Sequence, residues 1–306
     1  MPLGTISSAG EDLTAKAQEL AGRREPFVRA TVVRAQRPTS AQAGDVALVL
    51  ASGEIDGFVG GNCVEASVRE YAIKTLSSRE PLLLRVSPGE PSHVHEEGAI
   101  EVSNPCVSGG AIEIFLEPHI PAPRVLVVGR TPIARALVAL GAVLGMDMEP
   151  AEGVTVAPGA EDAAVIVASH GWEEEPAIEA AVRAGVPYVA LVASQVRGAA
   201  VLASLDLTDE QRSSVHCPAG IDLGARTPAE IALSILAQLI AERADHTREE
   251  PGTAAVETAT DPVCGMSVVA MESSLHVEHD GRTVYFCSSG CRAAFLADPQ
   301  RYAAAS

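Results

Sequence analysis

Three of the six cysteines of this 306-residue chain fall in its last stretch, at Cys264, Cys287 and Cys291. Cys264 sits in the turn-forming loop DPVCGM (261–266), Cys287 ends an alternating segment, and Cys291 follows one helical turn later. A hairpin over 275–287 can therefore bring the three sulfurs together. Thiolates favour soft or borderline ions, so copper or zinc is the expected metal, with His276, His279 or Met266 as fourth ligand if the site is tetrahedral. A module this small buries little core, and a metal is one of its usual staples. The competing reading is three reduced thiols packed as small apolar groups.

A second group lies far upstream. GFVGGNCVEASV (57–68) puts Gly60 and Gly61 at the mouth of a helix, with Cys63 in its first turn and Glu65 behind it. Amides at a helix start attract anions, glycine admits close approach, and the same field lowers a thiol pKa. Cys106, in SNPCVSGGAIEIF (103–115), is also followed by a glycine pair; the alternative is two unrelated turns with incidental cysteines. A third glycine turn, Gly129-Arg130-Thr131-Pro132-Ile133-Ala134, follows RVLVV (124–128). Thr131 stands where a dinucleotide fingerprint places its second glycine and adds bulk against a pyrophosphate. The second strand looks truncated, with neither Glu149 nor Glu152 at its end, so a nicotinamide cofactor is not expected. His170 with Trp172, and His93 with His95, read as loop residues. No Ser/His/Asp or paired-carboxylate arrangement stands out, and no catalytic residue is assigned.

These groups need elements to hold them. FVRATVVRA (27–35), DVALVL (45–50), PLLLRV (81–86) and AIEIFLEP (111–118) read as strands, and the apolar spacing over 64–76 reads as a helix, giving a small α+β domain over 26–120. Residues 1–25 read as a frayed or partly helical lead-in. Over 124–244 the pattern alternates strand and helix, the signature of a parallel sheet covered on both faces. Its last helix opens on a capping box of Thr227, Pro228 and Glu230. Residues 245–260 read as a linker, and 261–303 as a hairpin-plus-helix module turning at Asp280 and Gly281.

Charge narrows the partners. Lys and Arg number 22 against 40 Asp and Glu, a net charge of −18 that disfavours nucleic acid and anionic lipid. Aromatics are only 3%, so the cores must be built from Ala, Val, Leu and Ile. No apolar run reaches the roughly 18–20 residues of a membrane span, and MPLGTISSAGEDL lacks the marks of a leader, so the chain reads as cytoplasmic with no membrane partner.

DPVCGM with YFCSSGCRAAFLADPQRY (285–302) resembles a YHS domain of the TRASH-like metal-binding group, which implies soft-metal binding. GGNCVE (60–65), CVSGG (106–110) and above all VHCPAGIDLGARTPAEIALSILAQLIAERA (215–244) resemble the XdhC/CoxI family, which matures molybdenum hydroxylases. The resemblance implies an α/β protein with a small amino-terminal domain and a Rossmann-like parallel-sheet domain. It implies molybdenum cofactor bound as cargo, sulfuration with a cysteine desulfurase, and delivery to an apo molybdenum hydroxylase of the xanthine dehydrogenase or carbon monoxide dehydrogenase type. The residues it implies for the cofactor are Gly60, Gly61, Cys63, Glu65, Cys106, Gly129, Arg130, His216, Asp222 and Arg226. Copper would suit the carbon monoxide dehydrogenase centre, which joins molybdenum to copper through sulfur. Two other classes stay open: a nucleotide-dependent oxidoreductase and a metal-sensing regulator. The oligomeric state is open too, a homo-oligomer included.

Overall fold

The alternating β-branched segments of the amino-terminal part pair into one mixed sheet in the computed structural model, which describes residues 8–89, 96–103, 110–152, 157–249 and 257–302. After α1 (Ser8–Gly22) come β1 (Phe27–Gln36), β2 (Val46–Leu50), β3 (Ile55–Gly57), α2 (Asn62–Ser78), β4 (Leu82–Ser87), β5 (Ala99–Ser103) and β6 (Ala111–His119). The strand order is β3-β2-β1-β6-β4-β5, antiparallel except between β4 and β5. Side chains alternate across a strand, so Val28, Ala30 and Val32 share one face with Leu84, Ile112, Ile114 and Leu116. Helix α2 covers that face through Val68 and Ala72. The opposite face takes α1, whose Leu13, Ala17 and Leu20 pack on Phe27 and Leu48.

The next segment runs β7 (Arg124–Val128), α3 (Pro132–Val143), β8 (Asp147–Ala151), β9 (Ala164–Val167), α4 (Glu174–Arg183), β10 (Val189–Leu191), α5 (Gln195–Ser204), α6 (Asp209–Ser213), β11 (Val215–His216) and α7 (Pro228–Glu249). Its five strands are parallel in the order β8-β7-β9-β10-β11. Successive residues of each strand are buried on opposite faces, Val125 and Val127 under α3 and α7, Leu126 and Val128 under α4. This is the doubly wound α/β arrangement the alternation predicts, and its strand order reverses between β7 and β9.

Two expectations are corrected. β8 is a full edge strand, paired with β7 from Asp147 to Ala151; its Pro150 disguises it in the sequence but is tolerated where one side of the strand carries no partner. Helix α7 runs to Glu249, into the segment read as linker, because no Pro or Gly breaks it before Pro251.

The carboxy-terminal module contains β12 (Thr258–Thr260), β13 (Ser267–Val269), β14 (Leu275–His279), β15 (Arg282–Phe286), α8 (Ser289–Ala297) and α9 (Pro299–Tyr302). β14 and β15 form the expected hairpin, whose two-residue turn sets Asp280 at φ 49° and Gly281 at φ 75°. Phe286, Phe295 and Tyr302 form its small aromatic core, with ring centroids 5.3 and 6.4 Å apart.

The chain divides into two compact units, 122–250 and the combination of 1–121 with 251–306. The module thus belongs to the same unit as the amino-terminal sheet. Ser273 Oγ donates to the Ser52 carbonyl at 2.7 Å, and β13 packs on α2. No described helix is long and apolar enough to cross a membrane.

A candidate thiol cluster beside a glycine-lined cavity

Backbone hydrogen bonds shape the loop that carries Cys264. The Met266 carbonyl accepts from the Asp261 N–H and the Asp261 carbonyl from the Gly265 N–H, both at 2.8 Å, and Gly265 takes the positive φ of 78° that closes the turn. The Asp261 side chain is fully buried; Oδ1 accepts from the Val263 N–H and Oδ2 from the Cys287 N–H, each at 2.9 Å. Ser288 caps α8 by accepting from the Cys291 N–H at 3.2 Å.

These ties converge the three thiols the spacing singled out. The Sγ atoms of Cys264 and Cys287 are 3.4 Å apart, and those of Cys287 and Cys291 3.7 Å. Sulfurs about 2.3 Å from one tetrahedral ion lie roughly 3.8 Å from each other, so the donor set fits a soft or borderline metal. One potential ligand atom from each of Asp261, Cys264, Cys287 and Cys291 lies within 4.8 Å of the others. The hydrogen bond from Cys287 holds the Cys264 thiol below the ordinary thiol range. The same bond, with another to Cys63, holds Cys287 far above it. Burial pushes Cys291 up to about 11.

Cys63 packs against the apolar cluster that Ala66 of the same helix forms with Met266, Val268 and Cys287, but it is not one of the four residues whose ligand atoms converge. Ser67, Glu70 and Tyr71 of α2 line a cavity of about 310 Å³ with Cys264, Gly265, Met266 and Ser267. Positions 63, 66, 67 and 70 share one face of α2, and that face meets the DPVCGM loop.

On its other side the start of α2 lines a larger cavity, of about 590 Å³, through Gly61, Asn62, Cys63 and Val64, facing Arg37, Pro38, Thr39 and Ser40. Gly61 opens the helix with no side-chain cap, and Gly60 takes φ 138° to make the turn. Glu65 stands in the same first turn. The Arg37–Ser40 wall was not anticipated; its only mark in the sequence is the RPTS turn after a strand. Cys106, His93 and His95 lie outside the described residues.

The remaining expected residues belong to the second unit. Gly129 ends β7 at φ 115°, and a Cβ there would come 2.6 Å from the Ala168 carbonyl oxygen, so only glycine fits the crossing with β9. Thr131 caps α3 by accepting from the Ala134 N–H at 3.1 Å, while its hydroxyl donates to the Ala168 carbonyl at 2.8 Å. Val128, Gly129, Arg130, Glu152, Ser169, Trp172 and Glu173 line a cavity of about 340 Å³, where Arg130 ion-pairs with Glu152. Glu152 directly follows the end of β8, contrary to the expectation that no acid stands there.

His216 is packed: it stacks on Tyr188 at 4.7 Å, Nε2 pairs with Glu242 at 3.0 Å, and Nδ1 meets Gln238 at 3.1 Å. Asp222 Oδ1 accepts from the Gly224 N–H at 3.1 Å, and the Arg226 N–H donates to Glu230 at 2.9 Å. Both are exposed loop residues leading into α7.

Family models match along the chain in three stretches: the XdhC and CoxI family over 20–87, the XdhC Rossmann domain over 125–239 and the YHS domain over 259–306. The uncharacterized protein YqeB of Escherichia coli (strain K12) is 27% identical over 256 residues, which is 74% of this chain and 45% of YqeB. The matched stretch thus spans less than half of that relative. A solved structure described as a xanthine dehydrogenase from Bacillus halodurans aligns with a TM-score of 0.37 at 16% identity, over 76% of this chain and 95% of that one.

Proposed function

Because the chain carries the XdhC and CoxI domain, the XdhC Rossmann domain and a YHS domain, we propose that it carries molybdenum cofactor as cargo and hands it to an apo molybdenum hydroxylase. The client is of the xanthine dehydrogenase or aerobic carbon monoxide dehydrogenase type, and a cysteine desulfurase supplies the terminal sulfur. The observation that carries this reading is the 590 Å³ cavity at the uncapped start of α2, with the Cys63 thiol in its wall. Helix-start amides suit the cofactor's phosphate, and a thiol suits its molybdenum.

In this reading Gly60, Gly61 and Cys63 hold the cargo in the first unit, with Glu65 in the same helical turn, and Cys106 is the further residue that the resemblance implies. In the second unit, taken by itself, Gly129 and Arg130 line a cavity suited to an anion; an exposed ion pair is worth little, so Arg130 can exchange Glu152 for a phosphate. The resemblance implies a cofactor role for His216, Asp222 and Arg226 as well, with His216 held by Tyr188, Gln238 and Glu242. The thiol cluster holds copper or zinc, and these ions supply Lewis acidity or, for copper, a component of a bimetallic centre.

Protein purified from cells that make the cofactor should contain molybdenum and pterin in a one-to-one ratio, and Cys63→Ser should lose most of both. Empty protein, together with client reconstitution that proceeds equally well without it, would overturn the proposal. One observation favours a second reading, a nucleotide-binding protein: Glu152 stands at the end of β8 beside the cavity at Gly129. Titration with NAD(P)H separates the two, because micromolar binding belongs to the second alone.

A further inference from the structure

We propose that the cavity at the end of β7 is a mononucleotide site, in which the base of a nucleoside monophosphate stacks on Trp172, its ribose meets Glu152 and its phosphate meets Arg130. The proposal concerns the second unit by itself. It rests on the nucleotide-binding reading of that cavity, carries it to one class of nucleotide, and leaves the cargo reading of the first unit untouched.

Trp172 is the one tryptophan of the chain, and it is 77% exposed in the cavity wall. The loop that carries it is built to hold it there. Glu174, only 1% exposed, accepts from the Gly171 N–H at 2.7 Å and from the Ser169 hydroxyl at 3.3 Å through Oε1, and ion-pairs with Arg197 through Oε2. His170 and Glu173, on either side of Trp172, take positive φ values of 61° and 49°. Left-handed backbone at two such residues costs free energy, and the buried carboxylate keeps it in place. The loop thus presents an indole face to solvent beside β7 and β9, where the strand order reverses and sheets of this kind bind their ligands.

The neighbouring side chains select the ligand. Glu152 directly follows β8, where a carboxylate can accept the hydroxyls of a ribose. Arg130 supplies the cation; it is 85% exposed and its partner Glu152 59%, so their ion pair is weak enough to open for a phosphate. Two observations exclude a dinucleotide. The cavity of about 340 Å³ is near the lower end of the roughly 300–1,000 Å³ of ligand sites. The Thr131 hydroxyl is committed to the Ala168 carbonyl and the Ala134 N–H, which fixes its bulk where a second phosphate would approach the backbone.

The test titrates the full chain with AMP and follows the fluorescence of Trp172, which no other tryptophan masks. Stacking should quench it saturably. By calorimetry Trp172→Phe should keep most of the affinity, and Trp172→Ala, at an exposed position where the fold does not depend on the ring, should lose roughly tenfold or more. Arg130→Ala should erase the preference for AMP over adenosine, and Glu152→Ala the preference for AMP over its 2′-deoxy form. NADH should bind more weakly than AMP. Unchanged AMP affinity in Trp172→Ala, or NADH binding without AMP binding, overturns the mononucleotide site and leaves the nucleotide reading standing; binding of neither overturns both. The molybdenum content of the purified protein decides the cargo reading separately.

Discussion

The backbone N–H of Cys287 donates to Asp261 Oδ2 at 2.9 Å, tying the strand end that bears one thiol to the loop that bears another. Because Asp261 also accepts from Val263, its removal orphans a buried N–H at Cys287 and a half-buried one at Val263. Asp261→Ala should therefore cost roughly 2–4 kcal/mol in urea unfolding. It should also weaken zinc binding, because the loop bearing Cys264 and a potential ligand atom are both affected; full stability in the variant would show that the loop is held by something else.

Metal should stabilise the unit that contains both the amino-terminal sheet and the module. Zinc at about 100 times its Kd should add about 2.7 kcal/mol to unfolding, provided the unfolded chain binds it weakly. A chelator should remove the gain, and Cys264→Ser should never show it. Calorimetry with and without chelator measures this, and coincident transitions would contradict it.

The second unit should carry an acid-sensitive cap. Backbone N–H groups of Thr227 and Arg226 hold the Glu230 carboxyl below its ordinary value of 4.5. A depressed folded-state pKa stabilises the fold above the unfolded pKa, and that contribution is lost as pH falls through the folded one. The difference in unfolding midpoint between wild type and Glu230→Gln should be largest near about pH 7 and shrink toward about pH 3. A difference independent of pH would refute the electrostatic part of the cap.

Gly129 should not tolerate a side chain. Its φ of 115° is strained for any other residue, and the added Cβ would press on the Ala168 carbonyl and the Ser169 Cα, each at 2.6 Å. Gly129→Ala should cost more than about 2 kcal/mol in the unfolding of its unit. Gly145→Ala serves as the control, because its positive φ of 73° comes with open space around it.

What the sequence determined by itself is whatever rests on local pattern. Period-two burial fixed β1, β6 and the β14–β15 hairpin, the capping box fixed the start of α7, and the spacing of Cys264, Cys287 and Cys291 fixed a convergent thiol set. β3 and β12 carry too few residues for a period to register, and they exist because a neighbouring strand supplies their hydrogen bonds. Only the tertiary structure decided that the start of α2 and the DPVCGM loop share one apolar cluster. Nothing in either segment encodes that meeting; it follows from β13 and the DPVCGM loop burying their apolar side chains on one face of α2.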